Sequence, residues 1–341
     1  MEINLISDTV TRPSKKMLEA MVNAKVGDDV FKEDPTVNKL ENELASMFGM
    51  ESALFFPSGT MTNQTAIKIH TNPGDQLICD KYAHVYNYEG GGVSFNSGVS
   101  CKLIDGDRGM FKNSQLLNAI NPPDFDHSPK TSLVCVENTT NKGGGACWNI
   151  KELEQIKKSC EENNLSLHLD GARIWNALVK MNQEPKNYGD IFDSISVCLS
   201  KGLGCPSGSV LIGSSDLISQ ALRVRKVLGG GMRQVGYLAA CGLYAIENNF
   251  KRLSEDHEKA SEIEYVLNNI SFVSTVEKVE TNIVIFQLDP KINSDFFLKK
   301  LKDKGVSIIS MGDNKLRIVT HLDYTTEMHK MFLNILKQLK I

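Results

Sequence analysis

The chain has 341 residues, enough for one large core with a smaller appendage and more than a single compact domain usually holds. Lysine and arginine number 38 against 41 aspartate and glutamate, a net charge of −3, which excludes a general electrostatic pull toward nucleic acid or an anionic membrane. No apolar run approaches the roughly 20 residues that span a bilayer, "MEINLISDTV" lacks a basic segment followed by an apolar one, and the eight cysteines form no C-x-x-C pair; a soluble cytoplasmic protein with free thiols is expected.

From Ser52 to about Ile212 short apolar runs alternate with helix-like segments. Ala53 to Phe56, Gln76 to Cys79, Cys101 to Ile104, Leu133 to Val136, Leu165 to Leu169, Ile195 to Leu199 and Ser209 to Ile212 each read as a strand. They are rich in Val, Ile, Leu and Phe with little alternation, as suits strands covered on both faces. Between them "TMTNQTAIKIH", "NSQLLNAI", "NIKELEQIKKSCEENN" and "ARIWNALVKM" have helical spacing with polar faces. The alternation predicts an α/β fold whose mostly parallel sheet carries ligands at the carboxyl ends of its strands. After "LGGGMRQVG" the pattern changes. One long or broken helix runs from about Tyr237 to Asn268, followed by strands in "SFVSTVEKVETNIVIFQL" and "KLRIVT" and by helices in "SDFFLKKLKDKG" and "TTEMHKMFLNILKQL", which suits a small α+β domain. The division expected is an arm over 1–14, a large domain over 15–245 and a small one over 246–341.

Four stretches place chemistry-bearing residues at element ends. In "FFPSGTMTNQ" a strand turns through Pro57-Ser58-Gly59 into a helix, whose first N–H groups, with the Ser58 and Thr60 hydroxyls, form a phosphate site or simply a helix cap. In "LHLDGARIWNA" Asp170 closes a strand, as a turn residue or as a partner for a ligand ring nitrogen or hydroxyl. Arg173 opens the next helix, the end where a cation does nothing for the helix dipole, so a carboxylate ligand is the better reason for it. In "LSKGLGCPSGS" a single Lys201 follows an apolar strand with no evident charge partner, as a solvated residue of a flexible turn or, with a lowered pKa, as a lysine that forms an imine with a carbonyl cofactor. The dinucleotide fingerprint starting at Gly202 fails at Ser207, and no P-loop is present. His84 in "DKYAHVYNYEGGG" and His127 in "FDHSPKTS" are lone histidines, and the basic run with Arg223, Arg225, Lys226 and Arg233 is too short for a nucleic-acid surface.

Taken in order, "SDTVTRPS", "VGDDVFKEDPTVNKLE", "FPSGTMTNQ", "ENTTNKGGG", "LHLDGARIWNA", "SKGLGCPSGS", "GGGMRQVG" and "LRIVTHLD" make the chain resemble the low-specificity L-threonine aldolases over nearly its whole length. The resemblance implies pyridoxal 5'-phosphate as cofactor and the fold of aspartate aminotransferase, a seven-stranded sheet between helices with a small C-terminal domain. It implies that Lys201 holds the cofactor aldehyde, that Asp170 faces the pyridine nitrogen, and that His84 stacks on the ring. Ser58, Gly59, Thr60 and Arg233 then hold the phosphate, and Ser7, Arg173 and Arg317 clamp the substrate carboxylate. His84 and His127 are the candidates to contact the substrate hydroxyl. The reaction implied is retro-aldol cleavage to glycine and an aldehyde, in a homotetramer built from dimers with sites between subunits and without a metal. Two positions depart from the family pattern: Ile6 stands where a basic residue is common, and Thr140 replaces the histidine of "ENTHN". Another reaction of the same cofactor, β-elimination, transamination or racemisation, is the nearest alternative; a non-catalytic binding protein of this fold and a dehydrogenase stand further off.

Overall fold

The computed structural model describes residues 2–339. In chain order its strands are β1 (Ile3–Asn4), β2 (Ser52–Phe56), β3 (Gln76–Asp80), β4 (Ser100–Ile104), β5 (Thr131–Glu137), β6 (Ser166–Gly171) and β7 (Ser194–Cys198). There follow β8 (Ser209–Gly213), β9 (Val273–Val276), β10 (Ile283–Leu288), β11 (Val306–Ser307), β12 (Ile309–Gly312) and β13 (Lys315–Val319).

Seven strands form the large sheet, in the order β2-β8-β7-β6-β5-β3-β4. All seven runs picked out from the sequence lie in it. Their composition follows from their position, since β3, β7 and β8 are buried at every residue. The edge strand β4 is exposed along most of its length and carries Lys102, the usual protection of an edge. β8 runs antiparallel to both β2 and β7. The other neighbours are parallel, so β3, β5, β6 and β7 send their carboxyl ends to one side.

Helices cover both faces. The helix Pro35–Phe48 has Asp34 as N-cap, accepting from the N–H groups of Thr36 and Val37, with Pro35 in its first turn. The main core contains Phe48, Phe55, Phe111, Trp148, Trp175 and Tyr188, with Trp175 edge-on to Phe48 at 5.9 Å and to Phe250 at 5.3 Å. The expected long helix is two, Gly236–Asn249 and Leu253–Leu267.

The second sheet, β12-β13-β10-β9, is antiparallel. It shares a separate core of Phe286, Phe297, Tyr324 and Phe332 with the helices Leu253–Leu267, Ser294–Asp303 and Thr326–Gln338. Ile3 and Leu5 belong to this core as well, because β1 pairs with β11 and Leu5 accepts the N–H of Val319. The beginning of the chain is thus part of its last-built core. Among the described residues no helix is long and apolar enough to cross a membrane.

Candidate active site

The parallel strands deliver their chemistry at one end. β3 ends at Asp80 and leads to His84, β5 ends at Glu137, β6 carries Asp170, and β7 ends at Cys198, three residues before Lys201. Asp170 lies opposite Glu137 on one side and Ser196 on the other. A side chain on Gly171 would lie 2.4 Å from the Ser196 carbonyl, so only glycine lets the strands stay this close behind the aspartate.

Asp170 is buried. Its Oδ1 accepts the N–H of Ala172 at 3.1 Å, while its Oδ2 is buried without a partner. A buried carboxylate oxygen without a donor is costly. A protonated ring nitrogen is the kind of group that would complete it.

His84 stands beside it, with one ligand-type atom each of His84, Glu89 and Asp170 within 4.8 Å of the others. The backbone N–H of His84 donates to Glu137 Oε2 at 2.8 Å, and its Nδ1 lies 2.9 Å from Glu89 Oε1. Burial draws its pKa down, but the bond to Glu89 and the charges of Asp170, Glu89 and Glu137 outweigh this and raise it. Glu137 is pushed up to about 7, by its own burial first and by Asp170 second. Glu137 therefore keeps its proton to higher pH than an ordinary carboxyl.

Lys201 is half-buried, its Nζ 3.5 Å from Cys198 Sγ and its carbonyl bonded by Thr11 Oγ1 at 3.2 Å. Cys198 Sγ also accepts from Ser209 Oγ, and a Cβ on Gly59 would lie 2.6 Å from that sulfur. The start of the helix Gly59–His70 therefore comes to the lysine. Ser58 is its N-cap, bonding the N–H of Met61, and the Thr62 N–H goes to the Ser58 carbonyl. The N–H groups of Gly59 and Thr60 have no partner among the described residues, which leaves an anion-binding end. Arg233 lies outside the buried cluster: it is exposed, pairs with Asp28 at 2.9 Å and sits over the Phe31 ring. Gly230 of the same loop packs against Met61 of that helix. Arg225, from the basic run, is buried on Asp29 and the Phe55 carbonyl and is not part of any surface patch.

The arginines approach from elsewhere. Arg173 is buried and held bidentate by Asp8, through Nε at 2.8 Å and Nη2 at 2.7 Å. Asp8 also accepts from Asn282. Burial opposes its charge, but Arg173, with help from Lys201, outweighs the penalty and holds the Asp8 carboxyl at about 2. Arg317 gives Nη1 to Asn141 and Nη2 to the Ile6 carbonyl, and its Nε is buried without a partner. Burial first, and the Arg173 charge second, lower its pKa. Two cations facing one space, with Arg173 Nη1 and Arg317 Nε unpaired among the described residues, form a receptor for a carboxylate. Ser7 is adjacent, its hydroxyl capping a turn by accepting from the Thr9 N–H at 3.2 Å.

The structure brings Lys201, Asp170, His84, Ser58, Gly59, Thr60, Ser7, Arg173 and Arg317 toward one region. It does not bring His127 there. That residue is exposed beside Asp126 and Phe125 and precedes β5, whose other end carries Glu137. A seven-residue strand is about 20 Å long, so the His127 of a chain is remote from that chain's own cluster. Thr140 is buried, its N–H on the Ala146 carbonyl and its Oγ1 without a partner. Sequence reasoning missed Asp8, Glu89, Glu137, Asn141 and Cys198. Asp8 was within reach, as an acid inside "SDTVT" that can match a lone arginine; the others have no local signal.

The family model described as beta-eliminating lyase matches residues 4–290. The chain is 41% identical over 325 residues to a probable low-specificity L-threonine aldolase 2 of Arabidopsis thaliana, covering 94% of this chain and 92% of the relative. It is 40% identical to the low specificity L-threonine aldolase of Escherichia coli K12, covering 95% of each. Among solved structures, the threonine aldolase of Leishmania major superposes with a TM-score of 0.86 over 98% of this chain and 99% of that one at 19% identity. The aspartate aminotransferase of Rhizobium meliloti does so with a TM-score of 0.71 over 98% and 90% at 14% identity, which speaks to the fold.

Proposed function

The chain belongs to the beta-eliminating lyase family, alongside its low-specificity L-threonine aldolases, and from that premise we propose that it is an aldehyde-lyase using pyridoxal 5'-phosphate. It cleaves L-threonine, L-allo-threonine and other L-β-hydroxy-α-amino acids to glycine and an aldehyde, acetaldehyde from threonine. The observation that carries the cofactor reading is Asp170 Oδ2, buried without a donor in a cluster that includes His84.

When bound, pyridoxal phosphate supplies an electron-accepting ring conjugated to the substrate nitrogen, which makes Cα–Cβ scission feasible at neutral pH. Lys201 would hold its aldehyde carbon, Asp170 Oδ2 would take the ring nitrogen's proton as a hydrogen-bond acceptor, and His84 would lie beside the ring. The free N–H groups of Gly59 and Thr60 would hold the phosphate with the Ser58 hydroxyl, and Arg233 would add charge only by leaving its pair with Asp28.

Arg173 and Arg317 take the substrate carboxylate, assisted by Ser7. Fixing that group would orient the substrate's Cα bonds, an effect worth several kcal/mol of the barrier, roughly. Asp8 keeps Arg173 charged and aimed. The reaction removes one proton from the β-hydroxyl as the aldehyde C=O forms, and returns one to Cα as glycine is completed. His84 is the chain's own candidate to exchange these protons; His127 serves a site only from another copy. A homotetramer of dimers in the cytoplasm, with sites between subunits, completes the reading, and the eight unpaired cysteines agree with a reducing compartment.

The test is to record the visible spectrum of the purified protein, add L-threonine, and follow acetaldehyde through a coupled dehydrogenase while glycine is quantified. Equal amounts of both products from a yellow protein are expected. A keto acid in their place would move the reading to β-elimination or transamination, and a protein that takes up no pyridoxal phosphate would overturn it. Light scattering checks the tetramer.

A further inference from the structure

Glu89 is a buried acid with three donors on it. Its Oε1 accepts from Asn63 Nδ2 and His84 Nδ1, both at 2.9 Å, and its Oε2 from Gln64 Nε2 at 2.6 Å. A carboxylate accepts only, so the Asn63 amide must turn its nitrogen toward Glu89 and its oxygen away. That oxygen receives Ser196 Oγ at 2.6 Å and lies 3.2 Å from His168 Nε2, which must therefore carry the proton. Burial lowers the His168 pKa to about 3, so the ring is neutral and its Nδ1 is an acceptor. Ser194 Oγ donates to that Nδ1 at 2.8 Å and in turn takes the proton of His70 Nε2, also at 2.8 Å. From His84 to His70 the bonds form one self-consistent set of directions with the Glu89 carboxylate as its acceptor-only member.

His84 Nδ1 must be the N–H, and its Nε2 has no hydrogen-bond partner among the described residues. The charged groups facing this ring are Glu89 from the turn after it, Asp170 from β6 and Glu137 from β5, with the Tyr88 ring at 5.6 Å. Glu137 pins the His84 backbone and Glu89 pins the ring, so two acids from different elements fix one imidazole.

We propose that Glu89 is a positioning residue for the cleavage reaction, holding His84 as the Nδ1–H tautomer so that Nε2 is the nitrogen offered to cofactor and substrate. The assignment of Nε2 as the working atom rests on the functional reading above; the tautomer does not. The logic is that of a carboxylate fixing a catalytic imidazole from behind. A buried amide ladder anchored in β6 and β7 keeps that carboxylate from turning. Gln64 closes the other side, since it donates to Glu89 while accepting from Asn96.

The test uses the full chain labelled with 15N-histidine, with and without pyridoxal phosphate, and two-bond 1H–15N spectra across a pH series. His84 is expected as Nδ1–H with Nε2 as the nitrogen that titrates, and His168 as a non-titrating Nε2–H. Glu89→Gln keeps the shape and removes the charge. It should move the His84 titration to lower pH, shift the kcat pH profile with it, and cut kcat about tenfold or more with a smaller change in KM. Glu89→Asp should recover part of the titration shift. A purely structural role would change stability and leave the titration in place. Finding His84 as Nε2–H in the unsubstituted protein overturns the proposal, and does so even if Glu89→Gln fails to fold. An unmoved titration in a folded Glu89→Gln protein overturns it equally. A chain that releases no acetaldehyde would instead sink the functional reading, with the histidine spectra unaffected.

Discussion

The two halves of the site are built in different ways. The half around Asp170, His84 and Lys201 hangs from the carboxyl ends of adjacent strands in one sheet, and its supports are neighbours in register. The half proposed to face the substrate carboxylate is gathered from the far corners of the chain. Asp8 reaches Arg173 across 165 positions, Asn141 reaches Arg317 across 176, and Ile6 reaches Arg317 across 311. The first half is as rigid as the sheet. The second is as firm as the docking of the opening residues and the small domain onto it.

The sharpest way to isolate the sheet-built half is Lys201→Ala, which should remove cleavage by about a thousandfold or more while the fold survives. Steady-state acetaldehyde release and far-UV circular dichroism check both parts. Asp170→Asn, in the same half, should cost about a hundredfold in kcat, read in the same assay at saturating cofactor.

In the gathered half the expected losses fall on stability and binding. Asp8→Asn leaves Arg173 buried beside a neutral partner and should destabilise the protein by about 3 kcal/mol or more, measured by denaturant unfolding. The pH dependence has a definite sign. Asp8 is held at about 2 against an ordinary 3.8, so its contribution is present in full above 3.8 and lost as the pH falls through about 2. That increment, about 2 kcal/mol, should be missing from the acid limb of Asp8→Asn. Arg317→Ala should raise KM by about tenfold or more with a lesser effect on kcat, seen in threonine saturation curves. The smallest effect belongs to Arg233→Ala, whose exposed pair with Asp28 is worth under about 1 kcal/mol to folding. A larger thermal shift would show that Arg233 is bound to more than Asp28.

This division also explains what could be read from the sequence. Most strands of the large sheet were legible because burial on both faces leaves apolar runs such as Leu133–Val136. The direction of β8 was not, since an antiparallel strand in that place has the same composition. Lys201, Asp170 and Arg173 stood out at element ends against their surroundings. Glu89 did not, for one acid in "YNYEGGG" has no pattern, and its meaning comes from Asn63 and Gln64 on a helix far earlier in the chain. The short strands β1, β11 and β12 escaped notice because two to four residues carry no periodicity. His127 could be picked out only by resemblance, and its position at the opposite end of β5 follows from topology that spacing does not contain.

The opening segment has a further consequence in time. Residues 3–11 are made before the residues they bind at long range: β1 has no strand to pair with until Val306 and Ser307 are made, the Ile6 carbonyl waits for Arg317, and the Asp8 carboxylate, touched locally by Ser7, waits for Arg173. The sheet can close while these residues still wait. Contacts of such long separation form late, so the arginine pair proposed to grip the substrate is expected to be completed by a segment made well before its partners and seated after the large sheet.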